Sequence, residues 1–254
     1  ENVLIYTDSS FKKSETIEPF PNIKNHLDQF TDIITSDNRP YGLHRARDER
    51  FFIGEKIIVQ RKCPGRPKFT YADFDSYVSA TFYLIKTERF NLKYLTALMN
   101  SKLIAFWLRH KGKMQGNNYQ IDKAPLVNIP IVQTEHEDIF ATLVDYILLL
   151  HQPQREEFIK YIGNDLIIHS IEEVIDQAVY ELYFGSEPDL QELKVLKHLQ
   201  NIQPISGNNT DEDVATVVKF YHWLHEQKNP IRNILLKANI VSKDIIGEIN
   251  ATIS

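Results

Sequence analysis

The sequence contains very little cysteine and glycine. Cys63 is the single cysteine, so no internal disulfide can form and no second thiol is present to share a structural zinc ion. The nine glycines are scattered singly, and neither a G-x-G-x-x-G turn nor a phosphate-binding P-loop occurs. These absences argue against a disulfide-stapled scaffold and against the common nucleotide-binding enzymes.

Long apolar runs are also missing. No segment approaches the roughly 20 apolar residues of a membrane span, and the start "ENVLIYTDSS" lacks the basic and apolar regions of a secretion signal. We therefore expect a cytoplasmic protein with no membrane partner. With 254 residues, 43% of them hydrophobic, the chain can bury one large core or two modest ones. Because it begins with Glu1 rather than Met, we expect it to be a piece of a longer protein.

Recognisable catalytic groupings are equally scarce. His222 and His225 stand three residues apart without the carboxylate of an H-E-x-x-H motif, so they do not predict a metal site. No Ser-His-Asp or Cys-His arrangement is defined by spacing. We expect no catalytic residue, no metal and no cofactor in these 254 residues.

Charge is distributed unevenly along the chain. Residues 1–130 hold 20 Lys and Arg against 14 Asp and Glu, whereas residues 131–254 hold 9 against 20. The stretch Arg39–Lys68 alone carries nine basic residues against three acidic ones. A basic half joined to an acidic half indicates a polyanionic partner for the first half and a different role for the second.

The first half mixes strand and helix patterns. Phe51–Gln60 and Tyr77–Lys86 are rich in β-branched and aromatic residues and predict strands. Asn91–Gly112 predicts one helix, with an N-cap at its first residue and a glycine stop at its last. Ala124–Val132, which contains two prolines, predicts a short strand or an extended segment at a sheet edge.

The second half, residues 133–254, is predicted to be helical throughout. Glu137–Gln152 has helical apolar spacing and is followed by Pro153. Ser170–Gly185 predicts a helix that opens with a Ser170 to Glu173 capping box. Thr210–Gln227 and Asn229–Ile249 predict two more amphipathic helices.

Together these patterns predict an α+β fold with a mixed sheet, packed helices and an all-helical C-terminal region. We place a recognition domain at residues 1–132 and a helical spacer or packing region at residues 133–254.

Two basic segments are the candidates for contact with nucleic acid. "HRARDER" carries guanidinium groups that suit phosphate or the edge of a guanine, and "RHKGKMQGNNYQ" places cations beside amide side chains, so it offers both phosphate contact and base readout. The alternative is that the basic residues of both segments are solvated surface charges without a ligand. The residues predicted to face nucleic acid are His44, Arg45, Arg47, Arg50, Arg61, Lys62, Arg66, Lys68, Arg109, Lys111, Lys113, Gln115, Asn117, Asn118 and Tyr119.

The order of segments between about Pro19 and Ile131 resembles the TaqI-like C-terminal specificity domain of type IIG restriction-modification enzymes. The resemblance lies in "LHRARDERFF…EKII", in the helix "YLTALMNSKLIAFWL" with its Leu-Met-Asn-Ser-Lys signature, and in the closing "G…Y.I.K..L..IPI". The later "IEEVIDQAVYELYFG" is similar to a helix that often follows such domains.

This resemblance implies recognition of a specific sequence in double-stranded DNA for an adenine-specific methyltransferase, often with an endonuclease in the same polypeptide. The cofactor S-adenosylmethionine and Mg²⁺ would belong to those catalytic domains, upstream of Glu1. The bases that are read differ among members of the family, so only the "HRARDER" turn and the "GKMQGNNYQ" loop are expected to face DNA. The alternatives are an RNA-binding module and a protein-interaction module that docks through its acidic helical surface.

Overall fold

A computed structural model describes residues 4–34, 36–43, 46–152, 157–208, 210–241 and 245–253. The chain forms two compact units, Glu1–Ile53 and Gly54–Ser254. The functional division at residues 132 and 133 that the sequence suggests stays a prediction. No helix in the described ranges is long and apolar enough to cross a membrane.

The first unit is a small assembly of turns around one helix, α1, Pro21–Asp28. Ile17 and Phe52 are almost fully buried, at 1% and 2% exposure, and Tyr6 packs edge-on against Phe52 with ring centroids 5.7 Å apart. Short 3₁₀ turns cover Ser9–Lys12, Ser14–Ile17 and Glu49–Phe51.

The second unit contains two small antiparallel sheets. Its strands are β1, Lys56–Gln60; β2, Lys62–Cys63; β3, Phe69–Ala72; β4, Phe82–Ile85; β5, Lys113–Gln115; and β6, Asn118–Gln120. The order is β3-β1-β4 in the first sheet and β2-β6-β5 in the second. The predicted strand Phe51–Gln60 is therefore right only in its second half, because Asp48 caps a 3₁₀ turn at its start and Gly54 adopts φ 63°.

Arg61 is the residue at which the chain passes from one sheet to the other. Its N–H donates to the Thr81 carbonyl at 2.8 Å, which continues the pairing of β1 with β4. Its carbonyl accepts from the Ile121 N–H, also at 2.8 Å, beyond the end of β6. The second sheet is thereby fixed to the first by backbone hydrogen bonds on both sides of one residue.

Helices cover one side of the first sheet and form the rest of the unit. They are α2, Leu92–Asn100; α3, Lys102–Lys111; α4, Lys123–Val127; α5, Glu137–Leu150; α6, Asn164–Phe184; α7, Leu196–Leu199; α8, Asp211–His225; α9, Pro230–Val241; and α10, Ile245–Ile253. α2 lies between β3 and α5, and α5 packs on α6. Tyr94 and Phe140 meet at this centre, both with 0% exposure and ring centroids 5.2 Å apart. The α+β class predicted from the sequence is confirmed.

The predicted helix Asn91–Gly112 is two helices, since Ser101 between them has extended backbone (φ −66°, ψ 154°). Asn91 caps the first helix as predicted, accepting from the Lys93 N–H at 2.8 Å. The Ser101 hydroxyl accepts from the Ile104 N–H at 3.3 Å and donates to the Leu98 carbonyl at 2.7 Å, so it caps α3 and closes α2. A continuous apolar pattern does not reveal this break, because both helices present apolar faces to the same core.

Buried polar contacts hold this break in place, and we call them the junction network: Arg66, Asn100, Ser101, Lys102 and Asp176. The Asn100 amide accepts from the Phe69 N–H at 3.0 Å and donates to the Phe69 carbonyl at 2.7 Å, which satisfies the edge strand β3. The Arg66 guanidinium donates to the Asn100 carbonyl at the end of α2. Asp176, on α6 and 6% exposed, accepts from the Lys102 N–H at 2.7 Å, and its second oxygen lies 3.5 Å from the Lys102 ammonium.

Two further sequence predictions are wrong. Ala124–Val132 contains the helical turn α4 rather than a strand; Pro125 lies in the first helical turn, where a missing N–H costs little, and Pro130 follows the helix. Ser170 lies inside α6, which begins at Asn164, and its hydroxyl donates to the Leu166 carbonyl at 3.0 Å. A true capping box is found at Thr210, whose hydroxyl and N–H bond to the Asp213 N–H and carboxylate, both at 3.1 Å.

Candidate nucleic-acid interface

The "GKMQGNNYQ" segment forms a tight β-hairpin, β5 and β6, joined by the two residues Gly116 and Asn117. Gly116 has φ 62°, the left-handed conformation that two-residue hairpin turns use at their first position and that glycine adopts without strain. Within the β2-β6-β5 sheet, β6 is the central strand and β5 an edge strand, and the tip residues Gly116 and Asn117 are exposed to a ligand.

One face of this sheet is entirely polar. Lys62 lies opposite Gln120 on the neighbouring strand, and Gln120 lies opposite Lys113. Directly opposed residues share a face in an antiparallel sheet, as do residues two apart along a strand. The resulting set, which we call the polar face, consists of Lys62, Lys113, Gln115, Asn118 and Gln120. All are exposed except Gln120, which is half-buried.

The opposite face of the same sheet packs into the core. Cys63 and Tyr119 are each 5% exposed, and Met114 packs against the same apolar cluster. Burial raises the pKa of the Cys63 thiol above its usual range. Tyr119, one of the residues predicted to face nucleic acid, thus lies beneath the polar face and supports it.

Side chains on the polar face are connected by hydrogen bonds. The Gln115 amide nitrogen donates to the Gln120 amide oxygen at 3.0 Å, and the Gln120 nitrogen donates to Asp122 Oδ1 at 3.3 Å. The Lys113 ammonium lies 3.0 Å from Asp122 Oδ2. These donors, the Lys113 ammonium first, lower the pKa of Asp122 below its usual range, so the carboxylate is ionised at neutral pH.

Further cations flank the polar face along the chain. Arg61 is exposed and its guanidinium lies 5.1 Å from the Tyr83 ring centroid. Lys111 is exposed at the end of α3, with its ammonium 5.8 Å from the Trp107 ring centroid. Arg109, in the same last turn, is half-buried, and Lys68 is exposed in the loop before β3. Cations at a helix C-terminus also stabilise the helix dipole, so Arg109 and Lys111 have a structural role in any case.

Two other cations of the basic stretch point inward. Lys56 has 0% exposure, and its ammonium donates to the Gly54 carbonyl at 2.7 Å and to the Phe74 carbonyl. Desolvation lowers the Lys56 pKa. Arg66 is half-buried and bonded to Asn100 within the junction network. The local excess of positive charge in the sequence is therefore larger than the excess on the surface.

The "HRARDER" turn belongs to the first unit. His44 and Arg45 lie outside the described residues. The Arg50 guanidinium, 87% exposed, forms a two-pronged pair with Asp48, with Nε 2.9 Å from Oδ2. That pairing lowers the pKa of Asp48. Arg47 is half-buried, and its carbonyl accepts from the Tyr6 hydroxyl.

The described residues contain no group of three or more His, Cys, Asp and Glu side chains arranged to hold a metal ion. The His225 ring nitrogen Nδ1 lies 2.9 Å from the Tyr221 carbonyl, within its own helix. His222, three residues earlier in the same helix, is exposed. Neither histidine contributes to the candidate interface.

Comparison with known proteins identifies the segment that contains this sheet. Residues 15–131 match the model of the TaqI-like C-terminal specificity domain. This segment is therefore similar to a TaqI-like specificity domain. The match covers just under half of the chain and confirms the resemblance inferred from the sequence.

Two curated relatives carry a similar segment. The type II methyltransferases M.HincII, from Haemophilus influenzae, and M.HindII, from the Rd strain of that species, are each 26% identical over 97 residues, which is 36% of this chain. The chain spans only 18% of the length of either relative.

The matched segment, residues 15–131, includes the whole polar face and four members of the junction network. Asp176 lies beyond the matched segment, at residue 176 against its last residue, 131. The Leu-Met-Asn-Ser-Lys signature supplies Asn100, Ser101 and Lys102, so this signature is explained by folding. The later "IEEVIDQAVYELYFG" helix supplies the carboxylate that pairs with it.

The residues named individually from the sequence do not include Gln120, although it ends the "GKMQGNNYQ" segment expected to face DNA, and they omit Asp122 altogether. Strand alternation supplies the missing signal, since Gln120 is two residues from Asn118 and shares its face. Asp122 lies two residues after Gln120, just past the end of β6, so the same alternation places it on the same side. The negative charge of Asp122 is not expected on a surface that binds phosphate, but its carboxylate orients the neighbouring amide groups.

Proposed function

We propose that this chain recognises a specific sequence in double-stranded DNA as the specificity module of a restriction-modification enzyme. The match of residues 15–131 to a specificity-domain family carries this proposal. The polar face supports it independently, because it combines ammonium groups with amide groups on a rigid sheet. Ammonium groups contact phosphates, and amides read base edges.

The arrangement of the cations suits a phosphate backbone that runs along the hairpin. Lys62 and Lys113 lie on the two outer strands of the sheet, with Gln120 between them. Arg61 and Lys111 adjoin these strands in the sequence and are exposed. In this proposal they supply the salt-dependent part of the binding, and the Gln and Asn side chains supply the sequence preference.

The composition of the polar face favours a duplex over single-stranded RNA. Modules that bind single strands expose aromatic rings on which bases stack. The described polar face has only amine and amide side chains, and Tyr119, the aromatic residue in its strands, is directed into the core. Amide side chains on a narrow hairpin suit the major groove, which admits a two-stranded ribbon.

In this proposal catalysis belongs to a partner domain. Both curated relatives are named as methyltransferases and are far longer than this chain. We infer an adenine-specific methyltransferase of type IIG, with S-adenosylmethionine as its cofactor and with an accompanying Mg²⁺-dependent endonuclease, in the same polypeptide. The acidic helical region, residues 133–254, would then pack against that domain rather than DNA, since its charge repels phosphate.

Selection from a random duplex library tests this proposal directly. The 254-residue chain is incubated with the library, and bound DNA is sequenced after several rounds. We expect enrichment of one sequence and an affinity that falls steeply as salt rises. Competition with single-stranded RNA serves as the control. Absence of enrichment, or stronger binding of the RNA, would contradict the proposal.

A further inference from the structure

We propose that Gln115 reads an adenine in the major groove, and that Gln120 and Asp122 hold its amide in the reading orientation. This inference rests on the proposed function, because it names the base that the polar face contacts. It concerns a hydrogen-bonded relay of three side chains, Asp122 to Gln120 to Gln115, on the exposed side of the hairpin.

The direction of the relay is set by the ionised carboxylate. Asp122 can only accept hydrogen bonds, so the Gln120 amide must present its nitrogen to it, at 3.3 Å. The Gln120 oxygen then faces Gln115, which must also present its nitrogen, at 3.0 Å. The Lys113 ammonium, 3.0 Å from the other oxygen of Asp122, keeps the carboxylate charged. Each amide therefore has one preferred orientation.

The relay leaves a defined pair of groups on Gln115 for a ligand. Its nitrogen keeps a second N–H, and its oxygen accepts no hydrogen bond from any residue in the described ranges. A donor and an acceptor side by side match adenine, which presents N7 as an acceptor and N6–H as a donor in the major groove. Guanine presents two acceptors there, so it would place O6 against the amide oxygen. Gly116, the next residue, has no side chain to obstruct a close approach of the base.

The adenine preference is measured on the duplex that wild-type chain selects. Each A·T pair of that duplex is replaced in turn by G·C, and one further set carries 7-deazaadenine, which lacks the N7 acceptor. We expect one position at which both changes weaken wild-type binding, by roughly 5- to 150-fold for the G·C replacement. Gln115→Ala should bind the selected duplex and the duplexes altered at that position with similar affinity. Gln115→Glu, which has only acceptors, should shift the preference at that position toward cytosine.

Gln120 is a positioning residue, and its substitution should affect preference more than total affinity. Gln120→Ala leaves Gln115 in place and frees its amide to rotate, so we expect the adenine preference to fall several-fold, by a larger factor than the affinity for a random-sequence duplex. Gln227→Ala is the matched control, since Gln227 is an exposed glutamine far along the chain from the hairpin. Thermal unfolding of every variant separates loss of fold from loss of preference.

The outcomes separate this inference from the proposed function. If the wild-type chain selects no duplex, the proposed function and this inference are both wrong. If it selects a sequence and Gln115→Ala keeps the same adenine preference, only the reading by Gln115 is wrong. If Gln115→Ala loses the preference and Gln120→Ala retains it in full, Gln115 reads the base without the relay.

Discussion

The junction network and the polar face are both built from polar and charged side chains, but those of the first bond within the fold and those of the second face solvent. In the junction network an arginine, an asparagine and an aspartate bond to backbone groups at a helix break next to a sheet edge, and a lysine pairs with the aspartate. On the polar face, lysines, glutamines and an asparagine lie on a sheet whose other side is buried. Polar groups in the interior must be paired to avoid a desolvation cost, whereas exposed groups keep bonding capacity for a ligand.

A recognisable motif in this chain therefore does not by itself indicate a binding site. The Leu-Met-Asn-Ser-Lys signature is the most recognisable sequence feature, and its polar residues serve the fold. The hairpin "GKMQGNNYQ" has a less regular sequence and presents its side chains to solvent. Substitutions in the junction network should therefore change stability, and substitutions on the polar face should change recognition.

The largest effect is expected at Asn100. Asn100→Ala leaves the Phe69 N–H and carbonyl without their side-chain partners, which should lower the free energy of unfolding by about 2–4 kcal/mol. Urea unfolding followed by circular dichroism measures the change. Asn117→Ala on the exposed hairpin turn is the matched control and should alter stability by less than about 0.5 kcal/mol. Equal effects at the two positions would remove the distinction between the regions.

A smaller loss of stability is expected at Arg66, and here the sequence and the structure lead to different expectations. Arg66→Ala removes a charged hydrogen bond to the Asn100 carbonyl, with an expected cost of about 1.5–3 kcal/mol. Arg61→Ala, at an exposed arginine, should leave stability nearly unchanged and weaken duplex binding. If Arg66→Ala instead weakens duplex binding at unchanged stability, the sequence-based assignment of Arg66 to the DNA surface is correct.

Removing two charges from the polar face should change binding and leave the fold intact. For the double variant Lys62→Ala and Lys113→Ala, we expect the slope of log affinity against log salt to become shallower by about 2, one for each lost phosphate contact. Duplex binding measured by fluorescence anisotropy at several salt concentrations gives this slope. Lys228→Ala, at an exposed lysine between α8 and α9, should leave the slope as in wild type. An unchanged slope in the double variant would show that the polar face does not touch phosphate.

Two aspartates, Asp176 and Asp122, should make stability depend on pH in opposite directions. Burial raises the pKa of Asp176, whereas Lys113 and Gln120 lower the pKa of Asp122. The folded state therefore retains a proton on Asp176 above the usual value of 3.8, and this contribution to stability is lost as pH rises through the raised pKa. Asp122 contributes in the opposite sense, since its stabilisation is present at neutral pH and is lost as pH falls.

Two asparagine variants measure these opposite trends by urea unfolding across pH. Relative to Asp176→Asn, wild-type stability should decline as pH rises from about 4. Relative to Asp122→Asn, it should decline as pH falls through the same region. Parallel trends for the two variants would contradict the contrast between a buried carboxylate with a raised pKa and a half-buried one with a lowered pKa.

Much of the fold was predictable because its signals are local. Apolar spacing predicted the helices of the second half, Asn91 is the N-cap that the sequence indicated, and "GKMQGNNYQ" carries the glycine that its hairpin turn requires. The break at Ser101 was not predictable from spacing, since the contacts that hold it come from residues as distant as Asp176. The short helix α4 is not apparent from the sequence, because the proline in its first turn is equally typical of the end of a strand.

The candidate site was predicted in part for the same reason. The sequence alone determined which residues are charged, the excess of cations before residue 131 and the order of motifs that indicates a specificity domain. Tertiary structure decided which of those cations are available to a ligand: Lys56 and Arg66 are engaged inside, whereas Lys62 and Lys113 share an open face with Gln115 and Gln120. Charge is a property of each residue by itself. Exposure depends on contacts between segments far apart in the chain, and the composition does not specify those contacts.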